Sequence, residues 1–286
     1  MKEAQFYKKL KNKLVQCQLC PHFCAIKEGM TGKCKVRKNI NGVLYSLSYG
    51  KPVSINLDPI TKKPLYHFLP QTLTFSIGMA GCNLSCQWCQ NWEISQKAAE
   101  EFKIEEISSD KLVEEALKSG CPSISYTYTE PFISYEYVFD VAKLAKEHGL
   151  KNILVTNGFV NKEPFEKIAP YIDAANIDLK SFEDEYYKKY CKARLKPVLD
   201  NIKRAHEKGI HIEITTLVIP GLNDSEKEFE KIAKFIASID EEIPWHISRF
   251  FPMYKMSDKS ITPISTLETA FKIGKKHLKY VYMGNI

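Results

Sequence analysis

Three cysteines in one short segment have the spacing of iron–sulfur ligands. Cys82, Cys86 and Cys89 form a C-x3-C-x2-C pattern, directly after residues 73–77, whose composition predicts a β-strand. Each of three thiolates can hold one iron of a [4Fe–4S] cubane, which leaves the fourth iron open to another ligand. Clusters that only carry electrons normally have four cysteine ligands, and structural zinc also takes four ligands. The segment therefore favours an open [4Fe–4S] cluster over a zinc site.

A second group of cysteines lies near the N-terminus at C-x2-C-x3-C-x9-C spacing: Cys17, Cys20, Cys24 and Cys34. Four thiolates suit a tetrahedral zinc ion or an auxiliary cluster. Zinc is the favoured occupant, because a small, loop-rich module needs such a centre to fold. Free thiols are the alternative. The isolated Cys121 and Cys191 are interpreted as small, buried apolar side chains.

The bulk properties indicate a globular protein with a sizeable core. The 286 residues are 44% hydrophobic and 26% charged, with a net charge of +7, so one barrel-sized domain with a small appendage is expected. Lysine pairs such as Lys8-Lys9 and Lys188-Lys189 favour solvated helix faces over a nucleic-acid-binding stripe. The sequence has neither a membrane-spanning apolar run nor a signal-peptide core. We therefore expect a cytoplasmic protein whose clustered cysteines bind metal.

The first 70 residues are predicted to form a separate module. Phe6, Leu10 and Leu14 lie four residues apart among lysines and predict an amphipathic helix over residues 2–16. Asn41-Gly42 predicts the turn of a β-hairpin.

Residues 71–286 are predicted to form the second domain, since strand-like runs alternate there with helical patterns. The six predicted strands are 73–77, 123–128, 152–156, 174–179, 211–219 and 245–250. This alternation predicts an α/β fold with a parallel sheet. No glycine-rich phosphate-binding sequence follows the first strand, so a partial (β/α)6 TIM-like barrel is favoured over a doubly wound sheet. Catalytic groups of such barrels lie in the loops after the strands, where the C-x3-C-x2-C segment also falls.

The segment 81–95, GCNLSCQWCQNWEIS, resembles the radical S-adenosylmethionine (SAM) superfamily. It is most similar to the branch near pyruvate formate-lyase activating enzymes, specifically the radical SAM member of the AmmeMemoRadiSam system. Supporting stretches are CPHFC (20–24), DPITKKPLYHF (58–68), YTYTEP (126–131), VTNGF (155–159) and NIDLK (176–180). The resemblance implies a radical SAM enzyme that reductively cleaves SAM at a [4Fe–4S] cluster. The resulting 5′-deoxyadenosyl radical would abstract hydrogen from a protein or small-molecule substrate.

The same resemblance implies which residues act. Cys82, Cys86 and Cys89 are the expected cluster ligands. The candidate SAM contacts are Trp88, Glu130, Asn157, Asp178, Lys180, Thr215 and His246. Strand alternation puts Asp178 and Lys180 on one face, which is costly inside a barrel unless the charges are used or paired. Structural alternatives are core packing for Trp88, a turn cap for Asn157 and a satisfied core histidine for His246.

Within the radical SAM assignment, activation of a glycyl radical enzyme competes with modification of a different protein or a small molecule. The alternative of another class is a non-catalytic metal-binding or electron-carrying protein. An RNA-modifying enzyme ranks lower, because no basic stripe with interleaved aromatic residues is visible. The implied partners are an electron donor such as flavodoxin or ferredoxin, and Memo-like and AMMECR-type proteins.

Overall fold

The computed structural model describes residues 1–286 and is built around one eight-stranded sheet. In chain order the strands are β1 Lys2–Glu3, β2 Tyr7–Lys9, β3 Val15–Cys17, β4 Ala25–Ile26, β5 Arg37–Ile40, β6 Val43–Ser46, β7 Pro52–Pro59, β8 Leu73–Met79, β9 Ser123–Tyr126, β10 Lys151–Thr156, β11 Ala174–Asp178, β12 His211–Val218, β13 Trp245–Arg249 and β14 Val281–Gly284. Strands β8 to β14 are parallel and adjacent in chain order, and β7 pairs antiparallel with β8. The carboxyl ends of seven strands therefore meet at one end of the sheet.

Helices connect the parallel strands and bury their apolar faces. They are α1 Trp92–Ser95, α2 Ser109–Lys118, α3 Tyr135–Glu147, α4 Lys162–Ile168, α5 Asp184–Tyr186, α6 Leu195–Glu207, α7 Glu226–Ala237 and α8 Ile264–Gly274. Helices α2 and α7 begin after serine caps, Ser108 and Ser225, whose side chains accept a backbone N–H from the first turn. No helix of this set has the length and apolar character needed to cross a bilayer.

The predicted α/β architecture is confirmed, with one parallel strand more than expected. All six predicted strands are present within one or two residues of their predicted ends. The seventh, β14, was missed because it has only four residues and a mixed burial pattern. Strand β7, which the sequence assigned to the N-terminal part, extends the main sheet.

The predicted helix over residues 2–16 is wrong. Strands β1 and β2 occupy its first half, and β2 pairs antiparallel with β3 across a turn in which Asn12 and Lys13 have positive φ. Leu10 at the tip of this hairpin is 43% exposed, so the three apolar residues that suggested a helix share no buried face. Tertiary pairing has overridden a local pattern here. The Asn41-Gly42 hairpin between β5 and β6 is confirmed.

Residues 1–51, hereafter the N-terminal module, are joined to the barrel by a buried ion pair. Arg37 on β5 is 1% exposed and bonds through Nη1 to both oxygens of Glu136 on α3, at 3.1 and 3.2 Å. The backbone N–H of Gln5 donates to the same carboxylate at 2.7 Å. Breaking a buried pair by removing one partner costs about 3–5 kcal/mol, so this contact holds the module in place.

The connector between β7 and β8 closes the amino end of the barrel, and the carboxylate of Glu213 anchors it. Glu213 on β12 is fully buried and accepts the backbone N–H groups of Tyr66 and His67 at 2.8 to 3.0 Å. His246 and His211 contribute bonds of 2.6 and 3.1 Å. Burial raises the pKa of Glu213, but these hydrogen bonds outweigh it and lower the pKa to about 2.

We expect Glu213→Gln to destabilise the protein by about 2–4 kcal/mol at pH 7, because it leaves buried donors without their charged acceptor. The folded-state pKa is depressed, so the contribution of Glu213 is present above the unfolded value of about 4.3 and is lost as the pH falls toward 2. Urea unfolding at pH 7 and pH 3 measures both effects. The exposed Glu241→Gln is the control. Equal stability losses for Glu213→Gln at the two pH values would contradict the assignment.

Candidate functional site

The cysteine loop, residues 81–91, follows β8 at the carboxyl end of the barrel. Its first residue, Gly81, has φ +85° and donates its N–H to the carbonyl of Ile94 at 2.8 Å. Further along, Ser85 N–H donates to the carbonyl of Cys191 at 2.9 Å, and Gln87 N–H to that of Tyr190 at 3.3 Å. The loop is therefore held by backbone bonds on both sides and does not depend on its side chains alone.

The three loop thiols lie among hydrogen-bonding groups. Cys82 Sγ accepts the N–H of Leu84 at 3.4 Å, and Cys89 Sγ lies 3.2 Å from the Ser95 hydroxyl. Burial and the neighbouring Glu130 raise the pKa of Cys82, and burial raises that of Cys89. The pKa of Cys86 is lowered instead, because the thiol of Cys191 donates to its sulfur.

Cys191 is a residue that sequence reasoning missed. It was correctly expected to be buried, and its exposed fraction is 0%, but it also contacts Cys86. It ends a turn of π-helix, Tyr187–Cys191, and such turns are frequent at functional sites. Its distance along the chain from the loop hid the contact.

The residues at this end of the barrel fit the implied cofactors. Nowhere in the chain are three Cys, His, Asp or Glu side chains gathered as for a single metal ion; a cubane separates its ligand sulfurs more widely than one ion does. The thiols of Cys82, Cys86 and Cys89 influence one another electrostatically, and hydrogen-bond donors surround them, which tunes such clusters. The buried hydroxyl of Thr215 has no partner, so a polar ligand here would satisfy it.

Glu130 lies close to Cys82 but is largely engaged by the protein. It is 1% exposed and accepts from Phe132 N–H at 3.1 Å, Thr156 Oγ1 at 2.8 Å and Asn157 N–H at 2.8 Å. Thr156 Oγ1 also lies 3.0 Å from the second carboxylate oxygen, so each oxygen of Glu130 has two hydrogen-bond contacts. Burial outweighs these bonds and raises the pKa of Glu130 to about 7.

Asp178 and Lys180 form an ion pair at the end of β11. Lys180 Nζ lies 2.8 Å from Asp178 Oδ2, and the side chain of Asp178 is 36% exposed while Leu179 between them is fully buried. Asp178 is in register with Thr215 on β12. The pKa of Lys180 is raised well above its usual value, because Asp178 and the thiol of Cys86 outweigh the effect of burial. An accessible carboxylate thus lies beside an unpaired hydroxyl.

The remaining predicted contacts are all engaged within the protein. Trp88 is 5% exposed and packs 5.4 Å from the ring of Tyr186. The side chain of Asn157 bonds to Asn83 in the cysteine loop at 2.9 Å and accepts the N–H of Phe159, as in a turn cap. His246 bonds to Glu213, as described above.

Tyr128 is another residue that the sequence pattern did not single out. It has φ +66°, its carbonyl accepts from Asn91 in the cysteine loop at 2.7 Å, and its hydroxyl donates to Asp58 at 2.5 Å. A Cβ at position 78 would lie 2.7 Å from its ring. Gly78 inside strand β8 could have indicated this contact in the sequence, since a glycine within a strand often marks the close approach of another part of the chain.

An exposed aromatic pair flanks the cysteine loop. Trp92 at the start of α1 is 36% exposed and stacks on Tyr254, with ring centroids 5.2 Å apart and planes 9° apart. Phe251 and Met253, in the loop after β13, are 40% and 37% exposed. An apolar surface therefore adjoins the carboxyl end of the barrel.

Comparison with known proteins agrees with this geometry. A protein of Methanocaldococcus jannaschii, named only as uncharacterized, is 46% identical over 100% of this chain and 86% of its own length. The pyruvate formate-lyase-activating enzyme of Clostridium pasteurianum is 25% identical over 58% of this chain and 72% of that enzyme.

Solved structures share the fold. A radical SAM methyltransferase from Sphaerobacter thermophilus superposes with a TM-score of 0.58 at 15% identity, covering 76% of this chain and 67% of that protein. A domain of a pyruvate-formate lyase-activating enzyme from Bacteroides vulgatus gives a TM-score of 0.50 at 21% identity, covering 57% of this chain and 99% of that domain.

The sequence profile of the radical SAM superfamily matches residues 76–236. This span begins within β8 and contains the cysteine loop, Glu130, Asp178 and Thr215. The superfamily implies a [4Fe–4S] cluster and SAM, and the Clostridium pasteurianum relative is named as an enzyme, so the non-catalytic alternative loses its support. The chain is an enzyme of the radical SAM superfamily.

Proposed function

We propose that this enzyme abstracts a hydrogen atom from a carbon of a protein or small-molecule substrate bound at the carboxyl end of the barrel. The observation that supports this most directly is the unpaired hydroxyl of Thr215 beside the accessible carboxylate of Asp178, at the end of the barrel that carries the cysteine loop. When bound, the cluster and SAM supply reductive cleavage of the sulfonium to methionine and a 5′-deoxyadenosyl radical.

The side chains at this end of the barrel are proposed to have different roles in binding the cluster and SAM. Cys82, Cys86 and Cys89 would hold the cluster. Asp178 would accept a hydrogen bond from SAM, because its carboxylate has acceptor positions that are not used. Thr215 would donate a hydrogen bond to SAM, because its hydroxyl has no partner. Lys180 would keep Asp178 charged and oriented.

The other predicted contacts are proposed to act less directly. Glu130, a buried carboxyl group close to Cys82, is proposed to face the SAM ammonium group, since a carboxylate suits a charge-assisted bond there. Asn157 and Trp88 would position the cysteine loop by their contacts with Asn83 and Tyr186. The bond of His246 to Glu213 supports a structural role in the barrel. The predicted zinc or auxiliary cluster at the N-terminal cysteines does not enter this reaction.

The finer family assignment is also a proposal. The stretches quoted above support the radical SAM member of the AmmeMemoRadiSam system, with Memo-like and AMMECR-type proteins as partners. The stretch 58–68 carries part of this resemblance; it spans the end of β7 and most of the connector that closes the barrel. The exposed surface around Trp92 and Phe251 is compatible with a protein substrate, since exposed apolar patches mark interaction sites.

Activation of a glycyl radical enzyme is the second candidate. The 25% identity to the Clostridium pasteurianum enzyme, whose name states that it activates pyruvate formate-lyase, favours it. Incubation of the reduced enzyme and SAM with a candidate partner decides between the two. A glycine-centred radical signal in the partner supports activation, whereas a stable mass change without that signal supports modification of another kind.

The electron donor is proposed to be an acidic redox protein such as flavodoxin or ferredoxin. Residues 1–51 contain eleven Lys or Arg and two Asp or Glu, a net charge of +9, so the rest of the chain carries −2 of the total of +7. Opposite charge on a partner would steer it to this module. The sequence predicted that Lys8 and Lys9 lie on a solvated helix face, but in the structure both residues lie on strand β2 of a hairpin.

The first test concerns the cluster. Anaerobically reconstituted enzyme should bind about four irons at the cysteine loop and, when reduced, convert SAM to 5′-deoxyadenosine, since three thiolates leave one iron open. Cys86→Ala should lose both properties, whereas Cys121→Ala, a buried cysteine outside both clusters, should keep them. Iron analysis and chromatography of the nucleoside product measure these outcomes. A Cys86→Ala variant that still cleaves SAM would refute the proposal.

The second test concerns SAM binding. Asp178→Ala and Thr215→Val should each weaken SAM binding about tenfold, the effect of losing one hydrogen bond of about 1.4 kcal/mol. Iron content should stay unchanged, because neither side chain is a proposed cluster ligand. Calorimetric titration of SAM, with Asp200→Asn as an exposed-carboxylate control, gives the affinities. Parallel loss of iron would show that the residues are structural instead.

A further inference from the structure

The four cysteines of the N-terminal module line one small cavity at the junction with the barrel. Apolar residues, among them Leu19, Ile26 and Ile133, complete its wall. The thiols come from separate segments: Cys17 from β3, Cys20 and Cys24 from the loop after it, and Cys34 from the loop before β5. All four are free thiols, and all four line the same cavity. The fold therefore brings the four sulfurs together without cross-linking them.

A backbone N–H group lies near three of these sulfurs. In each case the donor belongs to the residue two positions after the cysteine. The pairs are Leu19 to Cys17, His22 to Cys20 and Val36 to Cys34. In the cysteine loop, Leu84 N–H donates to Cys82 Sγ in the same way. Such bonds stabilise a sulfur that carries negative charge, as in a bound thiolate.

Arg37 provides an independent sign of a missing ligand. Its side chain is 1% exposed and lines the cavity. Nη1 bonds to Glu136 and Nη2 to the carbonyl of Gln5, but Nε has no partner. A buried donor without an acceptor is unfavourable unless something else occupies the site.

His22 also lines this cavity but is not free to act as a ligand. Its Nε2 lies 2.8 Å from the carbonyl oxygen of Asn83 and must donate to it. The other ring nitrogen, Nδ1, then accepts from Lys33 Nζ at 3.3 Å. Both nitrogens are thus used, and thiols alone remain as candidate ligands.

The cavity is built directly against the cysteine loop. A Cβ at Gly81 would lie 2.4 Å from the carbonyl oxygen of Cys34 and 2.8 Å from Val36, so the two backbones touch there. The bond from His22 to Asn83 makes a second contact. Gly81 precedes Cys82 and Asn83 follows it, so these contacts bracket the first proposed cluster ligand.

We propose that Cys17, Cys20, Cys24 and Cys34 ligate a second, thiolate-bound metal centre, and that this centre fixes the start of the cysteine loop. The occupant is either zinc or an iron–sulfur cluster, both of which four thiolates suit. The sulfurs are not gathered around a single ion in the conformation described, so they draw together into the cavity on binding. The fixing of the loop rests on the proposed function; the metal centre does not.

The metal centre is tested in a full-length variant with Cys82, Cys86 and Cys89 all changed to Ala, which cannot hold the proposed SAM-binding cluster. One sample is incubated anaerobically with Zn²⁺ and another with Fe²⁺ and sulfide; both are then desalted. We expect retention of about one zinc or about four irons per chain, and the better-retained arm identifies the occupant. Adding Cys20→Ser and Cys24→Ser should abolish retention, and adding Cys121→Ser should not.

Failure of both samples to retain metal would overturn the proposed centre, whatever the wild-type enzyme does with SAM. Conversely, wild-type protein that cleaves no SAM while the triple variant retains metal would refute the proposed function alone. The two proposals therefore fail separately.

The effect on the loop is tested by two single variants. Cys34→Ser should lose the N-terminal metal and at least half of the iron at the cysteine loop. His22→Ala keeps all four thiols but removes the bond to Asn83, so it should retain the N-terminal metal while releasing central iron to a chelator several-fold faster. Circular dichroism shows whether each variant folds. Should Cys34→Ser fail to fold, the result for His22→Ala alone tests the coupling. Wild-type iron content in Cys34→Ser, or wild-type release in His22→Ala, would contradict the coupling.

Discussion

The cysteine loop is constrained by a close contact between two backbones at Gly81. No side chain fits at this position, because a Cβ would lie 2.4 Å from the carbonyl oxygen of Cys34. The positive φ of Gly81 turns the chain from β8 into the cysteine loop. The same residue thus ends the strand, begins the loop and brings the N-terminal module against it. The position of Cys82 depends on two parts of the chain that lie nearly 50 residues apart.

Charged side chains lie at both ends of the barrel, and they differ in how completely the protein satisfies their hydrogen bonds. At the amino end, Glu213 is saturated by backbone N–H groups and two histidines, so its charge stabilises closure. At the carboxyl end, Asp178 has one cationic partner and remains partly exposed, while Thr215 has none. Satisfied groups hold a fold, whereas incompletely satisfied groups are where a ligand gains the most. This contrast favours a structural role for His246 and a ligand role for Asp178.

The sequence was sufficient wherever the signal is local. The spacing of Cys82, Cys86 and Cys89 and the buried strand runs are short patterns, and the structure places the loop after β8 as expected. The prediction of a helix over residues 2–16 was wrong because the four-residue spacing of apolar residues does not reveal that β2 pairs with β3. Cys191 and Arg37 were not recognised because their partners lie about 100 residues away in the chain. Contacts of that kind form only in the folded chain, so no spacing of residues in the sequence predicts them.

The two open edges of the sheet are joined differently at the two ends of the barrel. Strand β14 pairs only with β13, and β7 only with β8, so the barrel does not close into a ring of strands. At the amino end the gap is bridged by the connector, where His67 lies 2.7 Å from the hydroxyl of Tyr282. No comparable bridge from the connector reaches the carboxyl end, because its contacts with β12 and β14 are at Glu213 and Tyr282, near the start of each strand. At the carboxyl end the loop after β13 reaches the cysteine loop instead: the N–H of Lys255 donates to the carbonyl of Gln87 at 3.0 Å, and Tyr254 stacks on Trp92. The two edges of the open sheet are therefore joined at both ends, but only the contacts at the carboxyl end involve the cysteine loop.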